Sequence, residues 1–186
     1  MDWEDVLNYH LINQSDEFSD FQYYNICNKA ALINMQTRET LASTKNFITS
    51  LEENKNILDL YNKFLSRKNF KLEPLEIKLS DDSYDVVHFD VDTNDLFLKK
   101  HLGGGVISFA EYSDSFGVLI VILYDEQLIM KDIDGTFIKQ NLEVATRAVD
   151  KTRNFILNNK NKILKVDKFK LRLESDYPPS TSKMTF

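Results

Sequence analysis

The sequence predicts an α+β fold: a helical N-terminal region, then an antiparallel β-meander, one long helix and a final strand. Residues 1–73 contain neither glycine nor proline, so their composition favours helices. After Pro74 the spacing of apolar residues changes from about four to two, the period of a strand with one face in water. All five glycines lie between Gly103 and Gly135, within the predicted meander and its turns.

The N-terminal region carries three series of apolar residues at helical spacing. They are Trp3, Val6, Leu7 and Leu11; then Phe18, Phe21, Tyr24, Cys27 and Ala31; then Leu41, Phe47, Ile48, Leu51, Leu58, Tyr61 and Leu65. Ser15 or Asp16 is the candidate N-cap of the second series. We therefore expect three or four helices in residues 1–73, the last series forming one long helix or a helical hairpin.

The meander is predicted from two alternating series and two apolar runs. The alternating series are Leu75, Ile77 and Leu79, and Val87, Phe89 and Val91. The almost wholly apolar residues 116–124 should form the central strand, joined to a strand at 106–110 by a turn at 113–115. The glycine run at 103–105 predicts a bend or bulge with close backbone approach. A second turn at Asp125 and Glu126 leads into residues 127–130.

The C-terminal part is expected to hold a helix over residues 138–158 and a last strand over 163–173. Residues 174–186 include two prolines and several hydroxyl residues, which predicts a flexible tail. Residues 74–173 should therefore form an antiparallel sheet plus a helix, packed with residues 1–73 as one unit.

Composition excludes several classes of protein. With 42% hydrophobic and 28% charged residues, the chain is not wholly disordered. A single cysteine, Cys27, excludes an internal disulfide and a cysteine-based zinc site. The acidic start lacks the order of a secretory signal, and the longest apolar run, 118–124, is too short to span a bilayer. We expect a cytoplasmic protein with no membrane partner.

Eighteen lysines against five arginines, with sixteen asparagines, suggest an AT-rich coding sequence from a low-GC bacterium, phage or mobile element.

The sharpest catalytic motif is DIDGTF at residues 132–137. It resembles the first motif of the haloacid dehalogenase-type phosphatases, which implies Asp132 as nucleophile, Asp134 as acid and base, and Mg²⁺ beside them. That family places the motif on the first strand of a Rossmann-like sheet, with further catalytic residues downstream. Here only one helix and one strand are expected after Phe137. The alternative is an ordinary Asp-Gly-Thr turn leading into the helix.

Two further patterns suggest metal chemistry. Asp90, Asp92 and Asn94 match three positions of an EF-hand loop, but the glycine and glutamate positions are Asp95 and His101. An acidic stretch surrounds them, and with His88 the two aspartates could bind a divalent metal or form the solvent face of a strand. Glu76-Ile77-Lys78 has the ExK spacing of restriction-type nucleases and also fits an amphipathic strand. We identify no nucleophilic triad and predict no cofactor; Cys27 and His10 are expected to pack in the core.

The distribution of charge is the most informative feature. Residues 147–172 carry a net charge of +7 in a chain whose total is −6. The nine cations are Arg147, Lys151, Arg153, Lys160, Lys162, Lys165, Lys168, Lys170 and Arg172. Arg147 and Lys151 lie four apart on the predicted helix, and the last three alternate along the predicted strand, so each group shares a face.

Three interpretations of this basic segment remain open: contact with a protein partner, contact with a phosphate backbone, and neutralisation of the acidic strands beside it. We predict a non-catalytic accessory or regulatory subunit of a larger intracellular complex. The helical half would provide one docking surface and the basic segment the second, and homo-oligomers could form head to tail. A nucleic-acid-associated subunit is the alternative, and a metal-dependent hydrolase is the second alternative.

Overall fold

A computed structural model describes residues 2–15, 22–47, 49–66, 75–113 and 116–159. It confirms the predicted α+β class, with a short N-terminal helix, an antiparallel meander and one long C-terminal helix. The predicted last strand at 163–173 and the tail at 174–186 lie outside the described residues. None of the described helices combines the length and apolar character needed to cross a bilayer.

The helices are α1 (Trp3–Val6), which continues as a π-helical segment over Leu7–Ile12, α2 (Leu51–Leu65) and α3 (Leu142–Asn158). The strands are β1 (Gln14–Ser15), β2 (Gln22–Tyr24), β3 (Lys29–Asn34), β4 (Thr40–Ser43), β5 (Leu75–Leu79), β6 (Asp82–Asp90), β7 (Asp95–Lys100), β8 (Gly103–Ser113), β9 (Phe116–Asp125), β10 (Ile129–Asp132) and β11 (Phe137–Lys139). They form a seven-stranded sheet in the order β4-β3-β9-β8-β7-β6-β5 and a four-stranded sheet in the order β1-β2-β10-β11.

The first predicted helix is present and begins at a capping box. The Asp2 carboxylate accepts from the backbone N–H of Asp5 at 2.9 Å, and the Asp5 carboxylate accepts from that of Asp2 at 3.2 Å. These bonds satisfy donors that a helix start leaves open. The four apolar residues of the first series are buried in the core, as their spacing predicts.

The expectation of a purely helical region 1–73 is wrong from Gln22 to Ser43, where the chain forms β2, β3 and β4. Strand β3 pairs with β4 on one side and β9 on the other, and five of its six residues are buried. Ala30 and Leu32 pack on one side of the sheet, Ala31 and Ile33 on the other. A strand buried on both faces is apolar throughout, so it shows no period of two that would separate it from a helix.

Helix α2 starts later than the third series predicts. Ser50 caps it by accepting from the backbone N–H of Glu53 at 3.1 Å, and Leu41 belongs to β4 instead. The Asn54 side chain, 1% exposed, donates to the backbone carbonyl of Arg38 at 2.9 Å and to the Thr40 hydroxyl at 3.0 Å. These bonds fix the start of α2 against the β3–β4 turn.

The meander follows the predicted order with three differences. Residues 127–130 do not extend it, because β10 belongs to the four-stranded sheet. Strand β7 was not predicted, because its apolar residues follow directly on the acidic stretch. In β6 the pairing with β7 shifts between Val86 and His88, so Val87 is the extra residue and is 45% exposed. A bulge reverses the facing of residues along a strand, which explains why Val87 does not share the buried face of Phe89.

The triple glycine forms no bend or bulge. Gly103, Gly104 and Gly105 lie in β8 and pair in unbroken register with β7 and β9. A Cβ atom at Gly104 would clash with the Leu98 carbonyl oxygen and lie 2.7 Å from the Tyr124 hydroxyl oxygen. The predicted close backbone approach is thus confirmed, and it explains the glycine run.

Helices cover both faces of the large sheet. The N-terminal helix and α3 pack on one face, against residues such as Leu32, Val106 and Ile120. Helix α2 packs on the other face through Ile57, Tyr61 and Phe64. The predicted helix at 138–158 begins at Leu142, where Asn141 caps it, because residues 137–139 form β11.

We predict that Gly104→Ala lowers the free energy of unfolding by about 1–3 kcal/mol, the usual cost of overpacking a close-packed core. Gly117→Ala is the matched control, because its Cβ would approach the flexible Met35 side chain, with the sulfur 2.9 Å away. Urea unfolding followed by circular dichroism measures both. Equal stability of Gly104→Ala and wild type would contradict this account of the glycine run.

Candidate functional site

The four-stranded sheet has one buried and one exposed face. Met130 on the inner face is 1% exposed, and Tyr23 and Ile138 are partly buried against the core beneath it. Register pairs Lys131 with both Tyr24 and Phe137, and pairs Ile129 with Lys139. Since paired residues of neighbouring strands point to the same side, these five side chains share the outer face.

This outer face is strongly apolar for a surface. Phe137 is 61% exposed, Ile129 52% and Tyr24 43%. Three more large apolar side chains are exposed in the segments adjoining it: Leu128, Ile133 and Leu142. Contiguous exposed apolar surface usually marks a site of interaction. We call Tyr24, Ile129, Lys131, Phe137 and Lys139 the outer face of the small sheet.

Buried polar bonds hold the small sheet in place. The Gln140 side chain, 3% exposed, accepts from the backbone N–H of Asp125 at 3.1 Å and donates to the carbonyl of Asn25 at 3.0 Å. Its backbone N–H donates to the Leu128 carbonyl at 2.9 Å. One residue thus joins the end of β9, the end of β2 and the β10–β11 hairpin, so the outer face is presented on a fixed support.

Sequence reasoning did not find this face. The sequence predicts a strand at residues 127–130, but it places Tyr24 in a helix and Phe137 in a catalytic motif or turn. The available signal was Phe137 and Ile133, two large apolar residues among polar neighbours. The contact between β2 and β10 joins residues far apart in the chain, which no local pattern reveals.

The cations of the basic segment that the structure describes lie on α3. Arg147 is exposed, Lys151 is half-buried and Arg153 is largely buried. The other six, Lys160, Lys162, Lys165, Lys168, Lys170 and Arg172, lie outside the described residues. The described part therefore places two of the nine predicted contact residues on accessible helical surface.

Arg153 is engaged inside the protein. Its guanidinium donates to the Asp95 carboxylate at 2.9 Å, the Asp150 carboxylate at 2.6 Å and the Ser108 hydroxyl at 2.6 Å. Asp95 is 1% exposed. Arg153 therefore neutralises an acidic residue of a neighbouring strand. For this one residue, that agrees with the third interpretation of the basic segment. The arginine joins α3 to β7 and β8.

Burial and the charges of this cluster shift the pKa values of Asp150 and Tyr61. Burial raises the pKa of Asp150, and the Asp95 carboxylate raises it further, whereas Arg153 opposes both. Burial also raises the pKa of Tyr61, whose hydroxyl donates to the carbonyl of Asn94 at 2.5 Å. A cavity of about 340 Å³ adjoins the cluster, lined by Thr93, Asn94, Phe109, Glu111, Arg153 and Leu157.

The acidic stretch does not converge on a metal site. Asp82 pairs with Lys100 at 3.2 Å and with Lys29 at 3.8 Å. Asp90 accepts from the backbone N–H groups of Asp92 and Thr93, which lowers its pKa. Among the described residues no three carboxylate, histidine or cysteine side chains are grouped as metal ligands would be.

The phosphatase-like motif forms the loop of the β10–β11 hairpin. One oxygen of the Asp132 carboxylate accepts from the backbone N–H groups of Asp134 at 3.0 Å and Thr136 at 2.8 Å. Gly135 has a φ of +77°, which suits glycine in such a turn. The motif thus forms a turn, as the second interpretation expects, although the turn leads into β11 and not directly into α3.

The remaining candidate residues lie on an amphipathic strand or pack against other parts of the fold. Glu76 and Lys78 are exposed on β5 while Ile77 between them is buried, the pattern of an amphipathic strand. Cys27 is buried, and burial raises the pKa of its thiol to about 12. His10 stacks on Phe155 with 3.6 Å between ring centroids, and burial lowers its pKa. His10 therefore packs against α3.

We predict that Arg153→Leu lowers the free energy of unfolding by about 3–5 kcal/mol, because it leaves the Asp95 carboxylate buried without a partner. Asp150→Asn is the control, since Asp150 is 38% exposed and water can replace the lost contact. Urea unfolding should show a smaller loss for that variant. Adding Asp95→Asn to Arg153→Leu should recover part of the loss; no recovery would contradict this role of the ion pair.

The fold resembles that of profilins. Acanthamoeba castellanii profilin IA matches with a TM-score of 0.51 at 15% sequence identity, over 72% of this chain and 87% of that chain. A chain in the crystal structure of the LokiProfilin1 complex with rabbit actin matches with a TM-score of 0.42 at 15% identity, over 70% of this chain and 83% of that one. No family model and no curated protein matches the sequence. The first similarity shows a profilin-like fold.

Proposed function

We propose that the protein is non-catalytic and acts through protein–protein contacts, as an accessory or regulatory subunit of a larger complex. The observation that carries the proposal is the outer face of the small sheet, where Phe137, Ile129 and Tyr24 are 61%, 52% and 43% exposed. Aromatic side chains dominate the energetics of protein interfaces because they bury much area with little loss of conformational freedom.

The helices that cover the large sheet support placing the contact surface on the small sheet. Helices lie over both its faces and bury the apolar side chains there. The small sheet has one face against the core, so its other face is left to solvent in the described chain. The position of this face beside Gln140 and over Met130 makes it a preformed contact surface, which reduces the entropy lost on binding.

The catalytic alternatives have less support. The carboxylates of Asp132 and Asp90, the first acids of the two candidate motifs, each accept backbone hydrogen bonds within a turn. An aspartate in that position stabilises the turn without any chemistry. The predicted cytoplasmic location and the predicted prokaryotic or phage source stay predictions.

We predict that the double variant Tyr24→Ser/Phe137→Ser loses its protein partner while remaining folded. Tagged wild type and variant would be purified from the source cell after nuclease treatment, and the recovered proteins quantified by mass spectrometry. Wild type should retain a stoichiometric partner, and the double variant should retain at least about tenfold less, the loss expected for interface anchors.

Tyr9→Ser is the matched control for that experiment, because Tyr9 is 66% exposed on the N-terminal helical segment and is not part of the outer face of the small sheet. This variant should bind as wild type does. Unfolding curves should be alike for all three proteins, since the substituted residues are at the surface. Recovery of the same partner by the double variant at wild-type yield would refute the proposal.

The basic segment stays a second proposed contact. Replacing Lys168, Lys170 and Arg172 with glutamate is expected to abolish assembly with the same protein partner, because reversal of three charges opposes an acidic surface. Normal assembly of the triple variant would show that this segment is not the contact. If the segment binds nucleic acid instead, binding should fall by orders of magnitude between ~50 and ~200 mM salt. Head-to-tail self-association is checked by sedimentation of the purified chain.

A further inference from the structure

We propose that the partner presents carboxylates beside apolar side chains, as an acidic amphipathic protein segment seated on the outer face of the small sheet. The inference rests on the proposed function of this face and adds the chemistry of its partner. It follows from the charges on the face and from the way strand register arranges them.

Both charged side chains on the face are lysines. Register places Lys131 and Lys139 on it together with Tyr24, Ile129 and Phe137, and no acid shares this set of positions. The chain as a whole has a net charge of −6, so the face differs in sign from the average surface. A partner of opposite charge is therefore favoured at this face.

Lys131 occupies the middle of an aromatic row. It lies opposite Tyr24 on one neighbouring strand and Phe137 on the other. Its ammonium nitrogen is 5.3 Å from the centroid of the Phe137 ring, a cation–π contact. Neighbouring strands are about 4.8 Å apart, so the two aromatic residues flank the lysine across roughly 10 Å. If a carboxylate of the partner binds Lys131, the apolar residues beside it in the partner's chain can pack on the two aromatic rings.

The second lysine adds a second anion contact. Lys139 lies opposite Ile129 and diagonally across from Lys131, a spacing that long side chains can bridge. No ion pair joins either lysine to a carboxylate within the part of the chain that the structure describes. Two like charges this close repel each other, and one acidic segment would relieve both.

An anionic membrane is the other surface that combines lysine and aromatic contacts. Lipid recognition by charge uses clusters of roughly four to eight cations, since each contributes only a small attraction. The outer face supplies two, on a chain whose net charge is negative. The observations therefore favour a protein segment, and membrane binding becomes an outcome of the test.

The test is selection of peptides from a random displayed library on the immobilised full-length chain. Enriched peptides should carry aspartate or glutamate next to aromatic or aliphatic residues. Synthetic copies of the strongest binders would then be measured by fluorescence anisotropy. Lys131→Glu/Lys139→Glu should weaken binding by roughly tenfold or more, and added salt should weaken wild-type binding, because the charge contribution is screened.

Lys55→Glu/Lys78→Glu is the control of equal charge change, at exposed positions on α2 and β5. It should bind the peptides as wild type does. Vesicles of phosphatidylcholine, with and without phosphatidylserine, form the second arm. Binding to phosphatidylserine vesicles that is lost in the double lysine variant would overturn the inference in favour of a membrane.

The outcomes separate this inference from the proposed function. The selected peptides could lack carboxylates, bind wild type and fail to bind Tyr24→Ser/Phe137→Ser. That result would overturn the inference of an acidic partner, but the outer face would still be a contact surface. If none of the enriched peptides needs the two lysines for binding, the inferred chemistry of the partner is likewise overturned. Loss of the cellular partner in the aromatic double variant tests the proposed function by itself, whatever peptides are selected.

Discussion

Burial of β9 on both faces is the constraint on which the rest of the structure depends. Eight consecutive residues of this strand are buried, with Ile120 and Ile122 in one core and Leu119 and Val121 in the other. Each such side chain contributes roughly 1.5–3 kcal/mol when removed from water. That gain requires strands on both sides of β9 and helices over both faces, which is the arrangement that β3, β8, α2 and α3 provide.

Polar side chains specify how these layers meet. Asn54 joins α2 to the β3–β4 turn, Arg153 joins α3 to the large sheet, and Gln140 joins the small sheet to β9. Each is buried or largely buried and makes hydrogen bonds that a mispacked arrangement would break. These contacts thus favour one packing of the apolar layers over others of similar area. Arg153 also shows that a cation in a basic segment can serve the fold.

The proposed contact surface arises from the same layering. The small sheet adds strands β2, β10 and β11 at the edge of the core, with Met130 directed inward, so alternate side chains must face outward. At those positions the chain carries Tyr24, Ile129 and Phe137 with two lysines. Exposing such residues has a cost in solvation and in the risk of aggregation, which a partner would remove.

The sequence by itself determined the α+β class, the meander after Pro74 and the long helix near the C-terminus. These follow from local periods, such as Leu75, Ile77 and Leu79 in β5, and from the apolar run of β9. Only the tertiary structure decided that residues 29–34 form a strand, because an apolar run covered on both faces has no period to read. It also placed Arg153 in an internal ion pair and Tyr24 beside Lys131, since pairing between distant strands depends on the assembled core and not on local sequence.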